Sequence, residues 1–217
     1  MNQVEILAGY CKFTPRVIIE VGACDCSDTL QFHKLYPDAQ IYTFECNPIT
    51  LPLCHKKIAE IDNIRLIEKA VSNISGPTKF YPINASKSIT TWGDGNPGAS
   101  SLFLSSGKYP TETYVQDEIT VEATTLKDFI EAEQISQVDI LWMDIQGAEL
   151  LALEGTGEYI DWVKLLHTEV EFQEIYSGQP LYWEVDQYLV QHGFERIAWA
   201  YKDNWFGNAI YGKVEHD

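Results

Sequence analysis

Carboxylate side chains end several apolar segments of this chain, where they could act as bases or hold a cation. The clearest case is Val138–Gly155, in which a short apolar run stops at Asp144. Gly147 then permits a tight turn, and Ala148–Leu153 has a helical pattern. Open α/β sheets bind ligands outside the carboxyl ends of their strands. Asp144 is therefore the first candidate for orienting or deprotonating a substrate, and capping of the following helix is its structural alternative.

Two more acids take similar positions nearer the N-terminus. Glu20 lies in the predicted strand Val17–Val21, and Glu45 closes the predicted strand Gln40–Glu45. A dinucleotide site after the first strand would need Gly-x-Gly-x-x-Gly, so that backbone N–H groups can approach a pyrophosphate. The turn here has only Gly22, followed by two aspartates. Because acids repel phosphate and attract cations, the sequence favours S-adenosylmethionine, which carries a sulfonium and an ammonium and has no phosphate.

Glu45 follows the glycine turn by about twenty residues, a spacing at which an acid accepts hydrogen bonds from ribose hydroxyls. NAD also contains ribose, so Glu45 alone does not separate the two cofactors. The missing glycine-rich loop does, and an NAD or nucleotide-sugar enzyme remains the less favoured alternative. The structural alternative is that Glu20 and Glu45 are ordinary acids at strand ends.

A third group of candidates lies in the predicted strand Lys164–Phe172. His167, Glu169 and Glu171 alternate there, so they share one face of a regular strand. We expect that face to open into the cleft at its carboxyl end. His167 and Glu169 are therefore candidate general bases beside Asp144. The acids could also hold a divalent ion, but no metal site is predicted, and a buried, hydrogen-bonded His167 is the structural alternative.

Strand-like and helix-like segments alternate along the chain and predict an α/β fold with a doubly wound, mostly parallel sheet. Phe194–Tyr201 and Asn208–Lys213 have no helix between them and predict an antiparallel C-terminal hairpin. The other predicted strands are Val17–Val21, Gln40–Glu45, Ile64–Ile67, Val138–Met143 and Lys164–Phe172, and the predicted helices are Ser27–Tyr36, Ile49–Ala59, Ala148–Leu153 and Leu181–His192. Ser27 with Asp28 is expected to cap the first of these helices.

An irregular insertion interrupts this alternation at about residues 72–123. Within it, Lys79–Ile83 could form a short edge strand. Asn84–Gly107 is rich in Ser, Gly and Asn, and we expect a partly mobile loop over the active site, with surface disorder as the alternative. The length of 217 residues suits a single domain spanning residues 1–217.

The composition limits the partners. A net charge of −17 disfavours nucleic acid and anionic membrane surfaces. No basic, apolar leader and no membrane-length apolar run is evident, so a cytoplasmic protein is expected. The five cysteines match no zinc-ligand spacing and are expected to be free thiols.

Eight segments spread over most of the chain follow the motif order of a known family. They are Val17–Ala23, Tyr42–Pro48, Ser100–Leu102, Thr124–Phe129, Val138–Gly155, Thr168–Phe172, Tyr176–Leu181 and His192–Phe194. Together they resemble FkbM-type S-adenosylmethionine-dependent methyltransferases. The resemblance implies a seven-stranded, Rossmann-like class I methyltransferase sheet. It also implies O-methylation of a hydroxyl on a carbohydrate-like or natural-product acceptor.

The resemblance also implies a set of cofactor-binding residues. Glu20 and Gly22 would line the methionine end, and Glu45 would bind the ribose. Ala70–Val71 would flank the adenine, and Asp144 would face the transferring methyl. The full implied set is Glu20, Gly22, Ala23, Glu45, Cys46, Ala70, Val71 and Asp144.

Two positions depart from the family pattern. Cys26 replaces a glycine that is usual in the first loop, and Trp142 stands where a basic residue is common before the aspartate. They motivate an alternative in which the chain is a catalytically silent, methyltransferase-like binding module. The favoured prediction is an enzyme that O-methylates a small hydroxylated acceptor such as a sugar.

Overall fold

A computed structural model describes residues 2–214. The α-helices are α1 (Gln3–Tyr10), α2 (Ser27–Leu35), α3 (Leu51–Ile58), α4 (Leu126–Ala132), α5 (Glu149–Glu154) and α6 (Tyr182–Gln191). The strands are β1 (Val17–Val21), β2 (Gln40–Phe44), β3 (Ile64–Ile67), β4 (Ala70–Val71), β5 (Gly76–Phe80), β6 (Ile119–Thr124), β7 (Ile140–Met143), β8 (Leu165–Glu171), β9 (Phe194–Lys202) and β10 (Phe206–Lys213). Short 3-10 turns lie at Pro97–Ala99 and Gly157–Trp162.

The central sheet has seven strands in the order β3-β2-β1-β7-β8-β10-β9. Strands β3, β2, β1, β7 and β8 run parallel. Strand β10 is antiparallel to both β8 and β9. The predicted doubly wound sheet and the C-terminal hairpin are therefore confirmed. Since parallel strands end at one edge, their carboxyl ends assemble a common site.

Two hydrophobic cores cover the two faces of this sheet. Helices α1, α2 and α3 pack on one face, and α4, α5 and α6 pack on the other. Successive residues of β1 serve opposite cores, because Ile18 faces the first layer and Ile19 the second. On the first face Phe32 of α2 meets the edge of Trp142, with ring centroids 5.3 Å apart. Each such buried side chain contributes about 1.5–3 kcal/mol.

The insertion at residues 72–123 is more regular than its composition suggests. Strands β5 and β6 pair antiparallel within it, and β4 joins them in a second sheet of order β4-β6-β5. The strand predicted at Lys79–Ile83 lies three residues earlier in the chain, at Gly76–Phe80. Residues after β5 return through isolated bridges such as Tyr81 with Ser101. These pairings place the segment that follows over the carboxyl edge of the large sheet.

The predicted cap of α2 differs from the observed one, whereas α4 and α6 end in common capping arrangements. The expected cap of α2 by Ser27 is wrong, because the residue before the helix is Cys26 in a left-handed conformation (φ 58°) without a capping side chain. Asp25 accepts the Ser27 N–H instead, at 3.0 Å. Thr125 caps α4 through its side chain, and Gly193 takes the expected left-handed conformation after α6 (φ 76°).

Gly22 lets the ends of β1 and β7 approach each other closely. Its backbone has φ +90°, and a Cβ at this position would lie 2.0 Å from the carbonyl oxygen of Asp144. The Asp144 N–H donates to the carbonyl of Val21 at 3.0 Å. A residue with a side chain would therefore separate the two strand ends that carry the candidate site.

Glu20 is buried inside the α2-facing layer. Its carboxylate accepts hydrogen bonds from the hydroxyls of Thr43, at 2.7 Å, and Thr29 on α2. The side chain is 1% exposed. Burial raises the pKa of Glu20 to about 7, and the two hydroxyls oppose that rise. The acid therefore connects α2 to the sheet through hydrogen bonds. Within residues 2–214 it forms no ion pair.

We expect Gly22→Ala to destabilise the fold by roughly 2–6 kcal/mol, since it combines an unfavourable φ with overpacking against backbone. Gly107→Ala is the matched control, because Gly107 has φ +70° and open space around a built Cβ. It should cost only about 1–3 kcal/mol. Urea unfolding followed by circular dichroism measures both, and equal losses would contradict the close-approach argument.

The effect of Glu20→Gln on the free energy of unfolding at different pH values tests the role of the buried acid. A raised pKa means that the folded state keeps a proton that the unfolded state releases. The stabilisation is therefore complete below pH 4.5 and is lost as the pH rises to about 7. Between about pH 5 and pH 8 the variant should gain about 2–3 kcal/mol relative to wild type. Urea unfolding at both pH values gives this difference, and the exposed Glu60→Gln should show none.

Candidate functional site

A cleft that opens to solvent lies at the carboxyl edge of the large sheet. Its walls come from the ends of β1, β2 and β7, from the β3–β4 connection, and from the insertion. The lining residues are Val21, Gly22, Cys24, Phe44, Glu45, Cys46, Asn47, Lys69, Ala70, Val71, Phe80, Pro97, Gly98, Ser100, Leu102, Asp144, Ile145 and Ala148.

Most of the cofactor residues predicted from the sequence line this cleft. They are Gly22, Glu45, Cys46, Ala70, Val71 and Asp144. Glu20 does not reach it, because the alternation along β1 turns its side chain toward α2. Ala23 is also absent from the lining, since its side chain packs in the core cluster with α2.

Part of the wall consists of residues that sequence analysis did not select. Phe44, Phe80 and Leu102 add apolar surface, and Lys69 adds an ammonium group. Phe44 and Leu102 carried a signal, because they belong to the Tyr42–Pro48 and Ser100–Leu102 segments of the family resemblance. The strand pattern does not reveal Lys69 and Phe80, because the cleft wall depends on long-range pairing that folds the insertion back over the sheet.

Asn47 fastens the insertion to the cleft. Its side-chain amide donates to the hydroxyl of Ser100 at 3.1 Å and to the carbonyl of Pro97 at 3.4 Å. The Ser100 hydroxyl donates in turn to the Pro97 carbonyl at 2.7 Å. Pro97 and Ser100 therefore lie at the cleft, and the mobility expected for this segment stays a prediction.

Glu45 is held by the backbone at the end of β2. Its carboxylate accepts N–H groups from Cys24 at 2.6 Å, Cys46 at 2.9 Å and Asn47 at 2.7 Å. Burial raises the pKa of Glu45 to about 7, while these bonds oppose the rise. A carboxylate has about four lone-pair sites, so a further donor can still bind. The acid is thus oriented before any ligand arrives.

Gln146 joins two of the candidate catalytic acids. Its side-chain Nε2 lies 2.8 Å from Asp144 Oδ1 and 2.8 Å from Glu169 Oε1, so it donates to both. Its Oε1 lies 2.7 Å from the hydroxyl of Tyr176. The structure therefore brings Asp144 and Glu169 together, as the parallel register of β7 and β8 requires.

The acids at this edge are weaker acids than usual. Burial is the main cause that raises the pKa of Asp144, and burial raises that of Glu149 to about 7. Burial, followed by the charge of Asp144, raises the pKa of Glu169 well above its ordinary value. The pKa of Glu171 rises for the same main reason, with Glu149 as the next cause. A carboxylate whose pKa is raised accepts a proton more readily, which suits general-base work.

His167 does not join them. Its ring is 0% exposed and stacks on Trp142 with centroids 3.5 Å apart. Nε2 lies 2.9 Å from the side-chain oxygen of Gln3 on α1. Burial lowers the pKa of His167 to about 3. The expectation that His167 faces the cleft is therefore wrong, because the helical layer over this part of β8 covers it.

The five cysteines are all free thiols in the structure. Cys24 and Cys46 line the cleft. Burial, with a contribution from Glu45, raises the pKa of Cys24 to about 12 and also raises that of Cys46. Across residues 2–214, no helix has the length and apolar character needed to cross a membrane.

Solved structures of methyltransferases are among those similar to this one. An S-adenosylmethionine-dependent methyltransferase from Aquifex aeolicus has a TM-score of 0.52 at 13% identity, covering 98% of this chain and 90% of that one. M. capricolum TrmK in complex with S-adenosylhomocysteine has a TM-score of 0.54 at 9% identity, covering 100% of this chain and 70% of that one. At these identities the similarity shows a shared fold.

Sequence comparison identifies the family. The 2-O-methyltransferase NoeI from Sinorhizobium fredii is 31% identical over 164 residues, which cover 75% of this chain and 66% of NoeI. Residues 20–196 match the methyltransferase FkbM domain, and this match includes both strand ends that meet at Gly22 and Asp144. The chain therefore belongs to the FkbM methyltransferase family.

Proposed function

We propose that this protein transfers a methyl group from S-adenosylmethionine to a hydroxyl of a small, carbohydrate-like or natural-product acceptor. The observation that carries the proposal is the cleft in which Glu45 and Asp144 face one space from the ends of β2 and β7. Family membership supports methyl transfer, and NoeI, a 2-O-methyltransferase, supports a hydroxyl acceptor. The net charge of −17 favours a small molecule over nucleic acid, and the free thiols suit the cytoplasm.

The cleft fits the chemistry of this cofactor. Phe44, Val71 and Phe80 provide apolar surface for a purine. The Glu45 carboxylate, already oriented by three backbone N–H groups, can accept from ribose hydroxyls. Asp144 places negative charge at the other end, where it favours a sulfonium. Gly22 keeps the floor between these ends free of a side chain.

The acids supply positioning and proton transfer. S-adenosylmethionine, held by Glu45 and Asp144, would supply an electrophilic methyl group with a neutral thioether as the leaving group. The hydroxyl proton must then leave, and Glu169 accepts it in our proposal, with Asp144 orienting the hydroxyl. Gln146 fixes both carboxylates at 2.8 Å from its amide nitrogen. Much of the acceleration comes from such orientation, which is worth up to about 7–11 kcal/mol.

The thiols in the cleft are kept out of this reaction. A thiolate beside a methyl donor would compete with the acceptor, because the thiolate is the nucleophilic form of cysteine. Burial and the nearby Glu45 raise the pKa of Cys24 to about 12, so it stays protonated. Cys46 is protected in the same way.

Cofactor binding is tested by calorimetric titration with S-adenosylhomocysteine. Wild type should bind, and Glu45→Gln should weaken binding by about 1–3 kcal/mol, or roughly 5–150-fold, since ribose hydrogen bonds are lost. The exposed Glu122→Gln on β6 should bind like wild type. Failure of wild type to bind would overturn the proposal, and enhanced NADH fluorescence on mixing would then favour a dinucleotide enzyme.

Proton transfer is tested with Glu169→Gln, in an assay of labelled methyl transfer to a panel of monosaccharides and their glycosides. We expect kcat to fall by roughly 10²–10⁴-fold, while S-adenosylhomocysteine binding persists because Glu169 does not line the cleft. The wild-type rate should rise with pH as Glu169 ionises, and the variant should lose that rise. His167→Gln should keep it, because His167 is buried under Trp142.

Two results would contradict this assignment. An unchanged pH profile in Glu169→Gln would remove the base role. Cofactor binding by wild type without transfer to any acceptor of the panel would favour the silent binding module.

A further inference from the structure

Acids at the ends of β7 and β8 form a buried negative cluster. We call Asp144, Glu149, Glu169 and Glu171 the acid cluster. Glu149, Glu169 and Glu171 are 2%, 6% and 1% exposed, and Asp144 borders the cleft. Within residues 2–214 none of them forms an ion pair. Buried carboxylates are normally paired with a cation, so the cluster lacks a partner that a ligand could supply.

The cofactor's own charge does not meet this need. Of the acid cluster, only Asp144 lines the cleft. Glu169 and Glu171 are more buried than Asp144 and lie on the same face of the sheet, on the neighbouring strand β8. A cation in the cleft therefore contacts Asp144 and leaves the β8 acids uncompensated.

Two buried acceptor atoms beside the cluster have no hydrogen-bond donor. They are Oε1 of Glu171 and Oδ1 of Asn208, within the part of the chain that the structure describes. One buried donor close to Glu171, Nε2 of Gln179, also lacks a partner there. Asn208 is 2% exposed and lies opposite Glu169 in the β8–β10 register. Side chains of directly opposed residues share one face of a sheet, so Asn208 lies next to the cluster. Buried polar atoms are rarely left without partners, and both of these atoms require a donor.

Aromatic rings form another side of this region. Tyr114 stacks on Tyr176 with centroids 6.2 Å apart at 10°, and Tyr109 lies 5.5 Å from Trp205. Burial is the main cause that raises the pKa of Tyr109, Tyr114 and Tyr176, and the charge of Glu169 contributes to each. These rings are therefore within electrostatic reach of Glu169. Aromatic faces attract cations.

We propose that the methyl acceptor carries a protonated amine, which binds between Glu171 and Asn208 while the reacting hydroxyl lies toward Asp144. An ammonium group has three donors and no acceptor, which matches the two open acceptor atoms of Glu171 and Asn208 and the negative charge beside them. A neutral sugar would satisfy the acceptor atoms but would leave the charge uncompensated. This inference rests on the proposed methyltransferase function and narrows its substrate to amino alcohols and amino sugars.

The acceptor must pass the insertion to reach this region. The hydroxyl of Ser101 donates to the carbonyl of Gln146 at 2.7 Å, and the Tyr176 hydroxyl lies 2.9 Å from the carbonyl of Ala99. Ser105 forms a bridge with Tyr176. These contacts close residues 99–105 over the acid cluster, so the segment has to move when an acceptor binds.

The test uses the full chain saturated with S-adenosylhomocysteine and compares matched probes by calorimetry. D-glucosamine is paired with D-glucose, and 2-aminoethanol with 1,2-ethanediol. The aminated probe of each pair should bind at least about tenfold more tightly than its neutral partner. Binding in two buffers of different ionisation enthalpy should show proton release by the cluster, because a bound cation favours the ionised carboxylates.

Two variants assign the effect to its residues. Glu171→Gln should remove the preference for the amine without weakening S-adenosylhomocysteine binding, and Asn208→Asp should strengthen the preference. The inference would be overturned if each neutral probe bound as tightly as its aminated partner, or if neither aminated probe bound. Both outcomes are measured on the wild type, so they hold even if Glu171→Gln fails to fold. Mg²⁺ binding that depends on Glu171 and excludes 2-aminoethanol would also overturn it. Loss of the proposed function is seen separately, in the first titration with S-adenosylhomocysteine.

Discussion

The close approach of β1 and β7 at Gly22 is the constraint on which the site depends. A backbone without a side chain at this point lets the carbonyl of Asp144 lie where a Cβ would otherwise be, 2.0 Å away. The parallel strands then end side by side. The acid after β2 and the acid after β7 consequently face one cleft rather than two separate surfaces. Backbone geometry, more than any single hydrogen bond, gives the site its spacing.

Negative charge at this edge is costly for the empty protein and useful for ligand binding. Burial raises the pKa values of Glu45, Asp144, Glu149, Glu169 and Glu171. Protonation lowers the cost when no cation is present, and a bound cation restores the ionised form. Strongly shifted acids are therefore expected at a site that receives a positively charged ligand.

Gln146 and the insertion connect the two halves of the site. The Gln146 amide binds both Asp144 and Glu169, and its backbone carbonyl accepts the Ser101 hydroxyl. The residue has a left-handed backbone (φ 56°). It thus connects the insertion to the proposed catalytic acids, while Asn47 bonds to Ser100 of the same insertion.

The amino-acid sequence by itself determined the sheet class and the strand-end acids, because alternating apolar segments and parallel pairing bring carboxyl ends together. That logic placed Glu45 and Asp144 at the cleft and Glu169 beside Asp144, although Glu169 does not line the cleft. It failed for Glu20 and His167, whose side chains are covered by α2 and α1. Whether a strand residue faces a helix or a cleft depends on packing by segments far away in the chain.

Tertiary structure alone decided the cleft wall and the neighbours of the acids. Pro97, Ser100 and Leu102 reach the cleft only because β5 and β6 fold the insertion back over the sheet. Asn208 reaches Glu169 only because β10 inserts between β8 and β9. These contacts join residues tens of positions apart, and their geometry follows from the packing of whole elements. Local periodicity carries no record of that packing.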